Sequence, residues 1–237
     1  MSFGPASARI MRDYKRGDEE AAVAFLARLA GEGPALELGI GTGRIALPLA
    51  ATGVRVDGVD ISADCIEVLR SRPGGDRINV TLGDFADVPV EGSYRLIYVP
   101  WNSFFNLLTQ DDEVRCFENV AKHLTDDGSF VIEGGMNTEW LYTLKNYQYV
   151  EAERIEVDNV WIDVLRLDPT TQMLEESHVS LSAKGVHVNP VVQRYAWPAE
   201  LDLMARIAGL RLKERWGGWD QRAWTAKSEN IVSVWGR

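Results

Sequence analysis

The sequence is poor in cysteine, histidine and positive charge. Two cysteines, Cys65 and Cys116, and three histidines are scattered over 237 residues, so we predict neither a disulfide framework nor a metal site. Lys and Arg total 25 against 35 Asp and Glu, a formal net charge of −10, and no basic run occurs. This charge balance argues against a nucleic-acid partner. No apolar stretch approaches the ~20 residues of a membrane span, and residues 1–17 contain no apolar signal segment. We therefore expect a cytoplasmic protein that does not bind membranes.

The first 133 residues alternate short apolar runs with helical patterns. We expect strands at residues 34–39, 54–60, 78–82, 95–99 and 129–133, and helices at 18–30, 42–51, 62–70 and in the amphipathic segment that ends near 124–128. This alternation predicts an α/β fold with a parallel, doubly wound sheet that helices cover on both faces.

The pattern changes after Gly135. Residues 149–157, 160–167, 173–182 and 186–197 are expected to be strands that turns separate, so we predict an antiparallel β insertion. A last helix from about 198 to 208 and strands at 210–216 and 230–235 should return to the first sheet. The predicted organisation is a core at 1–135, an insertion at 136–197 and a closing helix with two strands at 198–237.

A glycine-rich turn follows the first predicted strand. The segment Glu37-Leu-Gly39-Ile-Gly41-Thr-Gly43 joins this strand to a helix, where glycines let the backbone approach a ligand closely and free N–H groups can face that ligand. It differs from the G-x-G-x-x-G fingerprint of dinucleotide-binding proteins. The carboxylate of Glu37 would repel a pyrophosphate but attract an ammonium or sulfonium group. We therefore expect a cofactor with positive charge.

Two further acidic positions follow later strands. Asp60 closes the second strand 21 residues after Gly39, a position from which a carboxylate can accept hydrogen bonds from both ribose hydroxyls. Asp84 and Phe85 follow the third strand and offer a carboxylate for an exocyclic amine and a ring beside adenine. Sites for an amine, a ribose and an adenine thus occur in order along successive strand ends.

These segments resemble motifs of the class I S-adenosylmethionine-dependent methyltransferases: residues 37–43 resemble motif I, 58–62 motif II and 83–85 the adenine motif, and the match covers about residues 18 to 135. The resemblance implies a Rossmann-like seven-stranded sheet with an antiparallel last strand, and S-adenosylmethionine as cofactor. The implied cofactor-binding residues are Glu37, Gly39, Gly41, Gly43, Asp60, Ile61, Asp84, Phe85 and Val99. A weaker resemblance links the chain to bacterial amino-sugar N,N-dimethyltransferases. Those enzymes tend to have a histidine after strand four, where this chain has Asn102 and Asn106.

Three connections at the carboxyl edge of the sheet remain for the methyl acceptor: residues 100–110, the insertion, and residues 217–229. Their aromatic residues either line an acceptor pocket or belong to the core, and the two alternatives have equal weight; they are Trp101, Phe104, Phe105, Trp140, Tyr142, Tyr147, Trp219 and Trp224. The candidates for acceptor contact are Tyr14, Tyr98, Trp101, Asn102 and Asn106. The sequence identifies no catalytic base.

We expect an enzyme that transfers the methyl group of S-adenosylmethionine to a nitrogen or oxygen of a small-molecule acceptor, with natural-product biosynthesis as one setting. The alternatives are a non-catalytic S-adenosylmethionine-binding interaction module and another transferase on the same fold, such as an aminopropyl transferase. We also expect a homodimer whose contact includes the insertion face of Val160, Ile162 and Val164. The alternative role of the insertion is a lid over the acceptor site.

Overall fold

The computed structural model describes residues 15–135, 144–228 and 230–237. The first sheet has seven strands: β1 (Ala35–Leu38), β2 (Val56–Asp60), β3 (Asn79–Leu82), β4 (Tyr94–Val99), β5 (Leu124–Glu133), β10 (Arg211–Trp216) and β11 (Val232–Gly236). Their order is β10-β11-β5-β4-β1-β2-β3. Strands β1 to β5 pair in parallel, and β11 is antiparallel to β5 and β10. The predicted doubly wound sheet with an antiparallel last strand is confirmed.

Five helices accompany the strands: α1 (Glu19–Ala30), α2 (Ala46–Ala51), α3 (Ala63–Arg70), α4 (Gln110–His123) and α5 (Pro198–Ile207). Apolar side chains of α1 and α2, including Leu26 and Leu49, are buried in the core on one face of the sheet. Phe117 of α4 and Met204 of α5 are buried in the core on the other face. No helix in the described ranges combines the length and apolar composition of a membrane span.

Two predicted boundaries within residues 18–133 are wrong by four or five residues. The second helix begins at Ala46 rather than residue 42, because Gly41 and Gly43 have φ angles of +55° and +80°, which a right-handed helix does not allow. The fourth helix ends at His123, and β5 begins directly at Leu124 rather than residue 129. Leu124 already pairs with Tyr94 of β4, and its backbone is extended.

The insertion forms a separate antiparallel sheet, as predicted, with order β6-β7-β8-β9. Its strands are β6 (Gln148–Ile155), β7 (Asn159–Asp168), β8 (Met173–Ser182) and β9 (Gly185–Arg194). We call these four strands the insertion sheet. Strand β9 ends three residues before the predicted end at 197, because Pro198 begins α5 and residues 195–197 lead into it.

A buried polar cluster fastens the insertion sheet to the core. Arg194 at the end of β9 forms ion pairs with Glu113 of α4 and Glu200 of α5. Gln172, in the turn between β7 and β8, donates to Glu200 at 2.8 Å. Burial raises the pKa of Glu113 to about 8, against the lowering effect of Arg194. The end of the insertion sheet is thus bonded to two core helices.

Candidate active site

The glycine turn has a left-handed backbone, which glycine adopts readily. Gly39, Gly41 and Gly43 all have φ between +55° and +80°, a range that side chains with a Cβ disfavour. No heavy atom lies within 4 Å of the position of a Cβ added to Gly41. The space above this turn is therefore open to a ligand.

The expectation that free amides of this turn face the ligand is wrong for four residues. The N–H groups of Gly39 and Ile40 donate to Val59 O, and that of Gly43 donates to Ile40 O. The N–H of Gly41 donates to Asp60 Oδ2 at 2.6 Å. These bonds fix the shape of the turn, so its contribution is close backbone approach rather than a set of unused donors.

Glu37 is a buried carboxylate at the carboxyl end of β1. Glu37 is 2% exposed, and Tyr98 Oη donates to Glu37 Oε2 at 2.7 Å. Burial raises the pKa of Glu37 to about 8, although Tyr98 and Arg44 act in the opposite direction. A cationic ligand beside this buried carboxyl group would stabilise its charged form and lower its pKa.

Tyr98, an expected acceptor contact, is 0% exposed in this structure. It reaches the site through its hydrogen bond to Glu37. Val99, an expected cofactor contact, is likewise buried in the core.

Asp60 closes β2 and organises the neighbouring turns. It is 8% exposed and accepts from the amides of Gly41, at 2.6 Å, and Ser62, at 2.8 Å. Burial raises its pKa against the effect of these bonds. Each carboxylate oxygen has two acceptor positions, so both retain capacity for a ligand hydroxyl. Ile61 beside it is 52% exposed and offers apolar surface at the same edge.

Asp84 and Phe85 follow β3. Asp84 is exposed and accepts from the amide of Ala86 at 2.8 Å. The Phe85 ring is half-buried, and its Cε1 lies 3.8 Å from the position of a Cβ added to Gly39. The structure thus brings Phe85 to the glycine turn, although the two are far apart in sequence.

The segment after β4 has a strained conformation. Trp101 and Asn102 have φ angles of +54° and +55°, which cost roughly 1–2 kcal/mol per residue for side chains other than glycine. Glu133 at the end of β5 accepts from the amide of Trp101, and Glu133 O accepts from the amide of Asn102 at 3.1 Å. Gly135 N donates to Asn102 Oδ1 at 2.9 Å. The end of β5 therefore holds this segment in its strained form.

Glu133 is a site residue that the sequence analysis missed. Its side chain is 1% exposed and also accepts from Arg16 Nη1, at 2.9 Å, and from Asn230 Nδ2. It therefore joins the chain before α1, the segment after β4 and the connection before β11. An acid that ends the apolar run Phe130-Val-Ile-Glu133 was the only sequence feature that could have indicated it.

Arg44 lies between the glycine turn and Trp101. Its Nη1 bonds to Asp18 and Glu19 at 2.9 and 3.0 Å, and its guanidinium carbon lies 5.3 Å from the centre of the Trp101 ring. Its Nη2 is buried and has no hydrogen-bond partner within the described part of the chain. This nitrogen is therefore a donor near Glu37 that a ligand could use.

The insertion sheet contacts the segment after β4. Gln193 Nε2 of β9 donates to Asn102 O at 3.2 Å and to Asn106 Oδ1 at 3.3 Å. Asn102 and Asn106, two expected acceptor contacts, are thus bonded within the protein. The face that carries Gln193 is turned toward the core, which agrees with the lid alternative.

The predicted acceptor aromatics separate into two groups. Phe104, Phe105 and Trp219 are 0–5% exposed and belong to the core. Trp101 is half-buried, whereas Trp224 and Tyr147 are 43% and 42% exposed. Three expected residues lie outside the described residues: Tyr14, Trp140 and Tyr142.

One histidine of the insertion lies within a polar group. His178 Nδ1 is 2.7 Å from Asp163 Oδ1, and its Nε2 is 3.9 Å from Glu176 Oε2. Their potential metal-ligating atoms lie within 4.8 Å of one another. The imidazole is half-exposed and lies on the insertion sheet, and the hydrogen bond to Asp163 accounts for its orientation.

The residues at the sheet edge fit S-adenosylmethionine in their chemistry. Glu37 is a buried acceptor for an ammonium group, and Asp60 retains acceptor capacity for ribose hydroxyls. The space around the Cβ position of Gly41 is open, and the amide of Gly41 bonds to Asp60. Exposed apolar surface for adenine is present at Ile61, beside Asp60.

Comparisons with known proteins agree with this chemistry. A family model described as a methyltransferase domain matches residues 35–128. The cypemycin N-terminal methyltransferase of a Streptomyces species is 27% identical over 209 residues, which are 84% of this chain and 81% of that protein. The solved structure of the CcbJ methyltransferase from Streptomyces caelestis is 34% identical, with a TM-score of 0.90 over 97% of this chain and 95% of that one.

A more distant solved structure has the same fold. The S-adenosylmethionine-bound amino pentose methyltransferase CalS10 from Micromonospora echinaspora is 18% identical, with a TM-score of 0.71 over 99% of this chain and 98% of that one.

Proposed function

Since the chain belongs to the S-adenosylmethionine-dependent methyltransferases, we propose that it methylates a nitrogen of a small-molecule acceptor. The observation that carries the proposal is the buried pair of carboxylates, Glu37 and Asp60, on either side of the open glycine turn. When bound, S-adenosylmethionine would supply an activated methyl group on its sulfonium sulfur, and the leaving group would be the neutral thioether of S-adenosylhomocysteine. The protein binds and orients the cofactor and the acceptor, and it excludes water from them.

The geometry of the site supports a set of cofactor-binding residues. Glu37 accepts from the cofactor ammonium, and Tyr98 holds the Glu37 carboxylate in place through its 2.7 Å bond. Arg44 Nη2, buried and without a partner within the described residues, donates to the cofactor carboxylate. Asp60 accepts from the ribose hydroxyls, and Phe85, Asp84 and Ile61 lie at the adenine.

The acceptor side favours nitrogen. Trp101, Asn102 and Asn106 belong to the segment after β4 that would lie beside the methyl group, and residues 100–110 contain no acid and no histidine that could act as a general base. A neutral amine needs little base assistance, whereas a hydroxyl requires a proton acceptor. One relative is named an N-terminal methyltransferase and one solved structure an amino pentose methyltransferase, which supports an amine acceptor. A cytoplasmic location stays a prediction.

The test has two stages. Calorimetric titration with S-adenosylmethionine and S-adenosylhomocysteine should show binding at one site per chain. A product-mass screen of primary and secondary amines, with matched phenols, should then give products heavier by one methyl group from amines only. Binding without any methylated product would favour the non-catalytic module, and products from phenols alone would overturn the assignment to nitrogen.

We further propose that a second copy covers the outer face of the insertion sheet. Cross-strand pairing puts Val160, Ile162 and Val164 on one face, opposite to the face that carries Gln193. Val164 is 40% exposed, and Val150 and Val188 on this face are 68% and 58% exposed. Four strands of this length cover roughly 500–650 Å² in projection, which approaches the ~800 Å² per partner of a standard interface. A symmetric dimer would bury this face against itself.

Light scattering at micromolar concentration tests the dimer. We expect twice the chain mass of 26.5 kDa, and dissociation in Ile162→Glu. The control is His187→Glu, which adds the same charge at an exposed position on the opposite face of the insertion sheet and should remain dimeric. A 26.5 kDa particle for the unmodified protein would overturn the dimer, and a dimer that survives Ile162→Glu would exclude this face as its interface.

A further inference from the structure

A cavity of about 230 Å³ lies at the carboxyl end of β5, next to the acceptor segment. Its base consists of Ile132 of β5 and Ser233 of β11, which are paired across the sheet. Trp197 and Leu201 at the start of α5 line one side, and Trp224 in the connection between β10 and β11 lines the other. The established family assigns no ligand to this cavity, and none of its residues has a part in the cofactor site.

The cavity is close to the place where the methyl group must be transferred. Gly134 and Gly135 line it, and Gly135 N is bonded to Asn102 Oδ1. In the sheet, β5 is two strands from β1, which is about 10 Å at the usual strand spacing. An acceptor whose nitrogen lies over the end of β4 therefore reaches the cavity with its next few atoms.

The lining is suited to an apolar group. Ile132 and Leu201 are 2% and 5% exposed, and two indole rings lie among the lining side chains. Of the hydroxyls in the lining, Ser233 Oγ accepts from Arg215 Nε at 3.0 Å and Ser228 Oγ accepts from Thr225 N at 2.9 Å. Since these oxygens already have protein partners, the cavity offers contact area rather than unmet hydrogen bonds.

The volume limits the size of this group. An apolar protein cavity of roughly 150 Å³ stays dry and binds benzene, so about 230 Å³ accommodates a six-membered ring with a short substituent or a branched alkyl chain. A disaccharide or a peptide does not fit. The cavity therefore suits one substituent of a larger or branched acceptor.

We propose that this cavity binds an apolar substituent of the acceptor and that the enzyme thereby selects amines that carry a six-membered ring or a branched alkyl chain close to the methylated nitrogen. The proposal rests on the proposed amine methylation for its biological meaning. The binding of an apolar group to the cavity is a separate physical statement, so it can be tested without turnover.

The binding test uses benzene, benzylamine and ethylamine as probes. Benzylamine and ethylamine share an ammonium group, and only benzylamine carries a ring. We expect benzene and benzylamine to shift the indole N–H resonances of Trp197 and Trp224 in a titration followed by NMR, and ethylamine at the same concentrations to leave them unchanged. Absence of a shift with both ring-containing probes would overturn the proposal.

A pair of variants locates the binding. Ala226→Phe adds a ring at the mouth of the cavity, and Ala223→Phe adds the same ring in the same connection at a position that does not line it. We expect at least fivefold weaker benzylamine binding in Ala226→Phe and unchanged binding in Ala223→Phe. Equal affinities in both variants would place the ring elsewhere and overturn the proposal.

An assay of amine methylation distinguishes selection by the cavity from the proposed methyltransferase function. In the product-mass assay, ring-bearing amines should exceed ethylamine at least tenfold in kcat/KM, since a few methylene groups in an apolar pocket discriminate by this much. Methylation of both amines at equal rates would leave the methyltransferase activity intact and overturn selection by the cavity. Binding of benzene without cofactor binding would retain the cavity and overturn the proposed function.

Discussion

The two sheets of this protein differ in how they are buried. In the seven-stranded sheet, β1, β4 and β11 are almost continuously buried, and all three lie between two layers of apolar residues. In the insertion sheet, most residues are half-buried or exposed, and one small cluster of Leu165, Leu167, Leu174 and Tyr195 is its own core. The first sheet is stable through burial, whereas the second depends on what it docks against.

The buried polar groups of the two sheets also differ in their partners. At the edge of the first sheet, Glu37 and Asp60 are buried beside the glycine turn, where the Cβ position of Gly41 is open. At the base of the insertion sheet, Arg194 is buried with carboxylate partners on two core helices. We therefore expect changes at the sheet edge to alter ligand binding, and changes at the insertion base to alter stability.

The largest effect on binding is expected for Gly41→Val. A side chain there would occupy the open space of the turn at a φ of +55°, so cofactor binding should be lost. Gly53→Val is the matched control, because Gly53 also has positive φ and open space but lies beyond α2. Calorimetry of both folded variants is the measurement, and normal affinity in Gly41→Val would show that the cofactor does not approach this turn.

The largest effect on stability is expected for Arg194→Met. Removal of one partner of a buried ion pair costs on the order of 3 kcal/mol, and here it leaves Glu113 buried. Because the pKa of Glu113 is already raised to about 8, protonation relieves part of this cost at lower pH, so the loss should grow from pH 6 to pH 9.

Denaturant unfolding at both pH values measures this loss. The control is Arg166→Met, which removes an exposed pair with Glu175 at 2.7 Å and should cost less than about 1 kcal/mol. Equal losses in the two variants would contradict the assigned role of the insertion base.

A smaller effect on binding is expected for Asp60→Ala. Hydrogen bonds to a charged group contribute roughly 1.5–3 kcal/mol each, so the cofactor should bind at least tenfold more weakly while the fold remains. Asp57→Ala on the same strand is the control, since Asp57 instead accepts from Tyr94 Oη. An unchanged dissociation constant would remove Asp60 from the cofactor site.

The smallest effect is a proton released on binding. The pKa of Glu37 is raised to about 8, so most of this carboxyl is protonated at pH 6.5, where an α-amino group is still charged. A cation beside it lowers this pKa, and cofactor binding should release up to one proton from Glu37 to the buffer.

Calorimetry at pH 6.5 in two buffers of different ionisation enthalpy measures the release. Glu37→Gln should abolish it, whereas Glu113→Gln, which removes another buried carboxyl with a pKa near 8, should not. A release that persists in Glu37→Gln would assign the proton to another group.

The sequence predicts the first sheet and its edge well because the relevant patterns are local. An apolar run followed by Glu37 and three glycines, or by Asp60 and Ser62, contains both the strand end and the turn within a few residues. Ser62 also caps α3 as expected, since its Oγ accepts from Cys65 N at 3.2 Å. The order of these strand ends in space then follows from parallel topology.

The contacts that the sequence did not predict join residues far apart in the chain. Glu133 meets Arg16 across 117 positions, and Arg194 meets Glu113 across 81. Gln193 and Asn106 are 87 residues apart. No periodicity or motif relates such pairs, because the packing of distant segments against one another decides them.

The insertion sheet leaves and rejoins the core at almost the same point, since Gly134 and Trp197 line one cavity. A segment with adjacent ends can be lengthened, shortened or exchanged at little entropic cost to the domain that holds it. All strand pairings of the seven-stranded sheet form without it. Acceptor choice and methyl donation can therefore change independently during evolution, with the pairing of Arg194 to the two core helices as the condition that any replacement segment must satisfy.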